Sequence, residues 1–539
     1  MEDRIRAGVH REFTFGSTAV VPRLQLRLIS ARWSRPSWLR NPSAHAAAIW
    51  IAVYGLIWST GQGFSTNFLR YGWQIVPWPT LRSHPLTSVW YLHIQPPVWN
   101  LILGCLGRWS PMPIALTLQL FSIAAGAVLA GTLAALLTRI DVTRRAATIV
   151  ALVATINPPV LRLAFDAQYE LFVAMLIVVL LWAVAAPMTT KPSHRFLIIS
   201  AIATTIVMTR SIYQVPWLVL LLVPIANAAR KQVSPRVMAA IFIIPLVTIG
   251  GWTLKNQIVF GEATLTTWSG MNQLKSVSPT FTTAELQRLA GRGDVSAVAV
   301  VGPFQPYANY VGAVPACRLV HRDPAVSAQQ SSEPSIGLDG GQFYTTNFNN
   351  ECYIPIYNIA GRDATYLTTH YPGRWFEARL WSARVWFSSG SANERSGSVV
   401  LGAIDDLFAV ARVDLPAPAV STHGWQQDAF ILTLGNDDVS WLVVAFTVLV
   451  LAAGARHLIR RLRRRGGGRR ANVMIVAAFV LAWTFGVGIA GELGEQARFR
   501  TMTDPFVVSL GIVLAWSVLQ RLRKFVQRQR SRQGGLLPR

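Results

Sequence analysis

Ten apolar runs divide this chain, and their lengths limit what it can fold into. Most are long enough to cross a bilayer as a helix, although several have only about 16 residues, near the lower limit for a span. Soluble proteins of 539 residues rarely combine 52% hydrophobic with only 14% charged residues. The sequence therefore predicts an all-α polytopic membrane protein with about ten transmembrane helices, at 44–62, 113–137, 146–163, 170–186, 195–209, 214–229, 237–253, 439–455, 471–490 and 505–520.

A net charge of +25 is typical of nucleic-acid-binding proteins but also of membrane proteins with basic cytoplasmic segments. The distribution of the charge along the chain decides between these two explanations. With a cytoplasmic N-terminus and alternating spans, the cytoplasmic segments hold 31 of the 50 Lys and Arg but only four of the 25 acids. The positive-inside rule explains the whole excess, so we expect contact with membrane lipid and no nucleic acid. The predicted location is a bacterial inner (plasma) membrane, with both termini cytoplasmic. The segments counted are 1–43, 138–145, 187–195, 230–236, 456–470 and 521–539.

The spans imply an order of regions along the chain. A cytoplasmic basic tail at 1–43 precedes the first seven helices at 44–253, which enclose a first external loop at 63–112. A large external segment of mixed structure follows, and a second basic tail ends the chain. The remaining boundaries are 254–438 for the external segment, 439–520 for helices 8–10 and 521–539 for the tail.

Two of the three cysteines, Cys317 and Cys352, fall in the external segment. An isolated pair outside the cytoplasm predicts a disulfide, with two unpaired thiols as the alternative. Cys105 lies in an apolar stretch and is expected only to pack.

Polar and charged residues gather at the external helix ends, where the positive-inside rule disfavours cations. Interfacial snorkelling explains one or two such residues. A cavity for an anionic group explains more of them, because Arg binds phosphate through its bidentate fork and Lys binds it as a point charge. The candidate binding residues are Gln95, Arg210, Tyr213, Lys255, Asn256, Glu495, Arg498 and Arg500. At an outer membrane face these residues suit a polyprenyl-phosphate ligand.

Five stretches carry a resemblance in their order and common side: "LHIQPPVWNLILG" (92–104), "NPPVLRLAFDAQYELF" (157–172), "MTRSIYQVPWLV" (208–219), "GWTLKNQIVFGEATLTTWSGMN" (251–272) and "RFRTMTDP" (498–505). The layout resembles the polytopic GT-C glycosyltransferases, closest to the protein O-mannosyltransferase-like branch. The resemblance implies transfer of a hexosyl or pentosyl unit from a polyprenyl-phosphate sugar donor. The acceptor would be a glycan, a lipid or a protein.

The chain departs from that family in its first external loop, which usually carries an acidic residue. No Asp or Glu occurs between Glu12 and Asp141. The catalytic base is therefore expected at Asp166 or Glu170, with His93 as a third candidate. The structural alternatives are a hydrogen-bonded histidine beside Pro-Pro and carboxylates that merely pair with arginines.

No cofactor is predicted, since the sequence lacks the close His, Cys and Asp spacing of a zinc or two-metal site. A divalent metal is possible but not indicated. Two other functions stay open. A transporter or flippase of a lipid-linked anion would usually show repeated halves, which are not found here. A non-catalytic GT-C-like membrane subunit would account for the acid-free first loop.

Overall fold

The structure is a computed structural model that describes residues 41–186, 192–230, 232–336, 342–388, 398–409, 411–414, 438–463 and 468–534. The basic tail up to residue 40 and all of 415–437 lie outside these residues. The first apolar run forms α1, which Asn41 caps by accepting from the Ser43 amide at 3.0 Å. Four short helices follow, three of them with proline in the first turn. The elements are α1 (Pro42–Ser59), α2 (Phe68–Tyr71), α3 (Trp78–Ser83), α4 (Pro85–Trp90) and α5 (Pro97–Trp109).

Six of the predicted spans come next. They form α6 (Ile114–Arg139), α7 (Arg144–Thr155), α8 (Pro158–Ala164), α9 (Glu170–Ala185), α10 (Pro192–Val207), α11 (Val215–Ala229) and α12 (Pro235–Phe260). The run 146–163, predicted as one span, is two helices bent by 70°. Pro158 and Pro159 cause the break, because proline lacks the amide proton and disfavours helical conformation in the residue before it. Asn157 then caps α8.

Short helices and hairpins fill the segment between α12 and α20. The aromatic-rich stretch 362–388 belongs to two helices, α17 and α18, which meet at Tyr371 before Pro372. The elements are α13 (Ser269–Val277), α14 (Thr283–Gly291), α15 (Ala297–Val301), α16 (Pro324–Ser327), β1 (Gln330–Ile336), β2 (Gln342–Thr346), α17 (Tyr353–His370), α18 (Pro372–Phe387), α19 (Val399–Ala409), β3 (Arg412–Asp414) and β4 (Asp438–Ser440). Strands β1–β2 and β3–β4 pair antiparallel, and 3₁₀ turns cover Ser278–Thr280 and Tyr307–Tyr310.

The last four helices are α20 (Trp441–Leu462), α21 (Arg469–Gly491), α22 (Gln496–Thr501) and α23 (Asp504–Gly534). Within the described residues, α6, α12, α20, α21 and α23 are long and apolar enough to cross a membrane, and the bent pair α7–α8 makes a sixth span. Helices α9, α10 and α11 are apolar but shorter. All ten predicted runs thus fall on helices, which confirms the helical polytopic fold class.

Seven of these helices pack in a closed sequence: α1 on α6, α6 on α9, α9 on α21, α21 on α20, α20 on α23, α23 on α7 and α7 on α1. Helix α10 packs on α9 and α12, and α11 packs on α10. Close approach requires glycine at two contacts, because a Cβ on Gly126 would meet Trp50 at 2.1 Å and one on Gly454 would meet Ala478 at 2.2 Å.

The helix ends form two chemically different ends of the bundle. At the basic end, the Arg139 guanidinium lies 3.8 Å from the Trp182 ring, and Arg461 donates to Asn472 at 3.0 Å. At the polar end, α9 begins and α21 ends, and the loop between α1 and α6 meets the segment between α12 and α20.

Cys317 and Cys352 form a disulfide in the structure, with 5.4 Å between their Cα atoms. It closes a loop across a sequence separation of 35 residues, for which chain entropy predicts about 3–4 kcal/mol of stabilisation. We expect the double variant Cys317→Ala/Cys352→Ala to lower the melting temperature in detergent. Cys105→Ala serves as the control and should leave it unchanged. Three reactive thiols in unreduced, denatured protein would contradict the disulfide.

Candidate active site

A small cavity of about 40 Å³ opens at the polar end of the bundle. It lies where the loop after α2, the start of α13 and the turn between α21 and α22 meet. Its lining combines cations and carboxylates with amides and aromatic rings: Gln74, Gln95, Arg210, Lys275, Glu492 and Glu495, with Trp73, Trp268 and Phe304. Charged groups buried together in an apolar protein are costly and indicate a functional site.

Arg498 is the most heavily bonded side chain at this site. Its Nε lies 2.5 Å from Glu170 Oε1, and its Nη1 lies 3.3 Å from Glu495 Oε2. Its Nη2 donates to Gln74 Oε1 at 3.2 Å and to the Tyr169 hydroxyl at 3.3 Å. Burial alone would lower the pKa of Arg498, but the charges of Glu170 and Glu495 raise it. Its donors are thus already engaged by the protein, so Arg498 acts first as an organiser of the site.

Arg210, unlike Arg498, makes no hydrogen bond with the described residues. It follows α10 and is 3% exposed, with its guanidinium 4.7 Å from the Tyr169 ring and 4.6 Å from the Phe499 ring. Across the described residues, no side chain or carbonyl accepts a hydrogen bond from this guanidinium, and no carboxylate pairs with it. Burial, followed by the Arg498 charge, lowers the pKa of Arg210, and the charges of Glu495 and Glu492 oppose this shift without cancelling it. Two ring faces stabilise the cation, and it lines the cavity with no hydrogen-bond partner on its buried Nε.

Lys275, on α13, forms a second charged group with two glutamates. Its Nζ lies 2.6 Å from Glu492 Oε1 and 3.9 Å from Glu495 Oε1. Burial raises the pKa of Glu492 despite that lysine. Burial acts the same way on Glu495, but the charges of Lys275 and Arg498 outweigh it and lower its pKa. The two carboxyls therefore hold protons with different strength, as acid–base sites require.

Helix α18 holds the Glu492–Glu495 turn in place. The Arg379 guanidinium donates to the carbonyls of Ile489 and Ala490 at the C-terminal end of α21, the latter at 2.7 Å. A cation there satisfies orphan carbonyls and complements the helix dipole. The Ser382 hydroxyl donates to the Glu492 carbonyl at 3.1 Å. The turn that carries both glutamates is thus fixed from outside the bundle.

Asp166 lies after α8 and is half-buried. Its Oδ1 accepts from the Ala167 amide at 2.7 Å, and its Oδ2 accepts from the Gln168 side chain at 2.8 Å. It is near enough to Arg498 for its charge to contribute to the raised pKa of that arginine. Asp166 therefore combines partial access to solvent with proximity to the charged cluster, whereas Glu170 is fully buried against Arg498.

The backbone beside Asp166 pairs with the loop that lacks acids. The Ser65 amide donates to the Phe165 carbonyl at 2.7 Å, and the Ala167 amide donates to the Ser65 carbonyl at 3.2 Å. These bonds form a parallel bridge between Ser65 and Asp166. A carboxylate from the next part of the chain thus lies against the loop at 63–112.

His93 is a structural residue in this arrangement. Its Nε2 donates to the Asn349 carbonyl at 2.9 Å, and its Nδ1 lies 2.7 Å from the Thr267 hydroxyl. Burial, opposed in part by the Asn349 bond, lowers the pKa of His93 to about 3. Both ring nitrogens are occupied and the ring is fully buried, so His93 has no free position from which to take a proton.

The pH dependence of stability tests this placement. The folded pKa of His93 lies below its unfolded value, so its contribution is complete above pH 6.5 and is lost as the pH falls towards 3. We expect the free energy of unfolding to fall by about 1.4 kcal/mol per pH unit in that window. Melting curves of wild type and His93→Gln at pH 7.5 and 5.5 measure it, with exposed His84→Gln as the control. An equal pH dependence in wild type and His93→Gln would contradict the assignment.

Four other predicted binding residues do not line the cavity, and their side chains bond to other groups of the protein. Lys255 Nζ donates to the Leu92 carbonyl at 2.6 Å and lies 3.7 Å from the Trp252 ring. Arg500 Nε lies 3.2 Å from Asp504 Oδ1. The Asn256 amide donates to the Thr264 carbonyl, and the Tyr213 hydroxyl bonds that of Thr484. Of the predicted binding residues, the cavity brings together Gln95, Arg210 and Glu495, with Arg498 beside them.

Most of the lining residues were not among the predicted site residues, and Lys275 and Gln74 are two of them. Lys275 is the only charged residue between Glu262 and Glu285, and a lone charge in such a segment is a usable signal. Gln74 carries no comparable signal, because a glutamine in a polar loop is ordinary. No group of three or more His, Cys, Asp or Glu that could hold a metal ion occurs in the part of the chain that the structure describes.

No protein-family model matches this chain, and no curated protein does. Two solved structures show similarity. The Archaeoglobus fulgidus oligosaccharyltransferase in its apo form is 13% identical with a TM-score of 0.37, over 92% of this chain, which spans about half (52%) of that protein. ArnT from Cupriavidus metallidurans bound to undecaprenyl phosphate is 14% identical with a TM-score of 0.32, over 87% of this chain and 79% of that one. Both TM-scores lie below 0.5, so the residues of this chain must carry the functional assignment.

Proposed function

We propose that this chain is a membrane glycosyltransferase that moves a sugar from a polyprenyl-phosphate donor to an envelope glycan, lipid or protein. The observation that carries the proposal is the buried guanidinium of Arg210, which lines the cavity and makes no hydrogen bond with the described residues. A buried cation without a partner is costly, and a phosphate oxygen would satisfy both its charge and its hydrogen bonds. The site lies at the end of a helical bundle, where a lipid-linked phosphate at the membrane surface can reach it.

The proposed reaction is a displacement at the anomeric carbon of the donor sugar. The acceptor hydroxyl oxygen forms the new bond to that carbon, and the bond from carbon to phosphate oxygen breaks. The electron pair leaves with the polyprenyl phosphate, whose growing negative charge Arg210 stabilises. Asp166 takes the proton from the acceptor hydroxyl. Arg498, fixed by Glu170, holds the carboxylates and the Tyr169 hydroxyl around the leaving group.

The rings of Trp73, Trp268 and Phe304 support a sugar ligand. The Trp73 and Phe304 ring centroids are 5.3 Å apart, and those of Trp268 and Phe304 are 5.4 Å apart. They form an apolar wall beside the charged groups, and Gln74 and Gln95 add amides within hydrogen-bonding reach of the cavity. A flat apolar face with a few polar groups is the usual arrangement of a small-molecule site.

The membrane orientation belongs to the same proposal. The positive-inside rule places the basic end in the cytoplasm and the polar end outside, in the inner membrane of a bacterium. The Cys317–Cys352 disulfide supports this orientation, because disulfides persist in oxidising compartments.

The experiment compares envelope extracts from a strain that lacks the gene with those of its parent. We expect one glycan, glycolipid or glycoprotein to lose a sugar, and its polyprenyl-phosphate donor to accumulate. Wild-type protein should restore the product, and Arg210→Gln should not. Identical extracts would favour a non-catalytic subunit, and an unglycosylated product with the donor confined to one leaflet would favour a flippase.

We propose that transfer needs no bound metal, because the candidate base and the phosphate ligands are all protein side chains. Activity should therefore be unchanged by EDTA in a membrane-based transfer assay. EDTA could also act by removing Mg²⁺ that is bound to lipid phosphates or needed to make the substrates. The control therefore adds EDTA to membranes in which donor and acceptor are already formed. Complete inhibition that a divalent ion reverses would overturn this prediction.

A further inference from the structure

A second and much larger cavity, of about 770 Å³, lies at the opposite end of the bundle from the candidate active site. Helices α10 and α11 form one wall and α20 and α21 form the other, with Val184 of α9 between them. Most of its lining is aliphatic or aromatic, including Ile199, Leu221, Leu451 and Phe479. Grooves of this kind between spanning helices open towards the hydrocarbon of the membrane.

The polar lining residues are confined to one end of the groove. They are Arg195 near the start of α10, Asn227 near the end of α11, Arg461 near the end of α20 and Asn472 near the start of α21. All four helix ends belong to the basic end of the bundle. The groove thus has an amphipathic form, with a charged mouth at the membrane surface and an apolar body that runs into the bilayer.

The charge at the mouth is positive. No Asp or Glu lines the groove in the described residues, and two guanidiniums do. In the sequence, the stretches 138–145, 187–195, 230–236 and 456–470 together contain a single acid, Asp141. The groove therefore offers apolar surface to acyl chains and cations to a head group, a combination that selects anionic over zwitterionic lipid.

The two arginines are held in place. Arg195 donates from Nε to the Ala183 carbonyl at 2.8 Å and from Nη2 to the Val184 carbonyl at 2.6 Å, at the C-terminal end of α9. Arg461 donates from Nη1 to the Asn472 side chain at 3.0 Å. Positioned guanidiniums lose less entropy on binding a phosphate than freely rotating ones.

We propose that this groove binds one anionic phospholipid of the leaflet at the basic end, with its acyl chains between α10–α11 and α20–α21 and its phosphate at Arg461 and Arg195. The site is separate from the candidate active site and does not depend on the proposed transfer reaction. A lipid there fills the space between α11 and α20, so it joins the outer helices α10–α12 to the packed sequence of seven helices.

Lipid binding tests this proposal with the full-length protein. Delipidated protein is titrated with dioleoylphosphatidylglycerol or dioleoylphosphatidylcholine, and bound lipid is counted by native mass spectrometry. We expect wild type to prefer phosphatidylglycerol, and Arg461→Gln to reduce that preference about five-fold. Arg460→Gln is the matched control, because it removes the same charge from the same helix outside the groove lining. Ala455→Trp, which fills the apolar body, should remove bound lipid of both kinds.

Three results would overturn the proposal. One is equal binding of the two lipids by wild type. Another is an equal loss of preference in Arg460→Gln and Arg461→Gln, which would indicate only diffuse surface charge. The third is displacement of bound phosphatidylglycerol from wild type by an equimolar amount of undecaprenyl phosphate, which would assign the groove to a polyprenyl chain.

Discussion

The Arg210→Gln variant is expected to lose about 10²–10³-fold in sugar transfer while folding as well as wild type. The reduced transfer follows from removing a buried cation that lines the cavity and makes no hydrogen bond with the residues that the structure describes. Stability should change little, because removing the cost of burying the charge offsets the loss of its contacts with the Tyr169 and Phe499 rings. Transfer activity and melting temperature, measured on the same preparation, report both effects.

Two further variants sharpen this prediction. Arg210→Lys keeps the charge but loses the planar fork, so we expect activity between wild type and Arg210→Gln. Arg108→Gln removes an exposed arginine of α5 and should leave transfer unchanged. A large drop in the melting temperature of Arg210→Gln would instead indicate that the arginine stabilises the fold.

Replacement of Asp166 by asparagine should lower the rate of transfer by about 10²–10⁴-fold, because the amide cannot take the acceptor proton. The oxygen of asparagine can still accept the Ala167 amide, so the turn should be kept. Donor binding should be unaffected, and the loss should appear in kcat rather than in KM for the donor. Asp406→Asn, at an exposed position of α19, is the control.

A variant of Glu170 tests which of the two carboxylates, Asp166 or Glu170, is the catalytic base. Glu170→Gln leaves Arg498 buried without its closest charge, so we expect lower stability together with lower activity. Asp166→Asn should lower activity alone. Loss of transfer in Glu170→Gln with unchanged stability, and full transfer in Asp166→Asn, would move the role of the base to Glu170.

The apolar helices and the polar end that carries the candidate site could be predicted from the sequence, since both follow from where apolar and polar residues lie. The bend between α7 and α8 could also be inferred, because Pro158 and Pro159 interrupt the run. The roles of individual arginines and lysines could not be predicted from the sequence. Arg210 and Arg500 have similar sequence surroundings, yet only Arg500 meets the carbonyls of Trp386 and Ser388. Those carbonyls lie at the C-terminal end of α18, more than 100 residues away in the chain.

The same limit applies to His93 and Lys275. The sequence "LHIQPP" marks His93 as polar among aromatics but cannot show that Asn349, 256 residues later, occupies its ring nitrogen. Lys275 joins the cavity only because α13 packs beside the end of α21. Long-range contacts thus decide which polar residues face the ligand, and a single sequence does not report them.

The central claim is tested most directly by transfer in proteoliposomes that contain the purified protein and a radiolabelled polyprenyl-phosphate sugar from the host membrane. With an acceptor extract added, we expect wild type to release polyprenyl phosphate and to pass the labelled sugar to the acceptor, and Arg210→Gln to do neither. Label that crosses the bilayer while still attached to polyprenyl phosphate, with no product formed, would contradict the account.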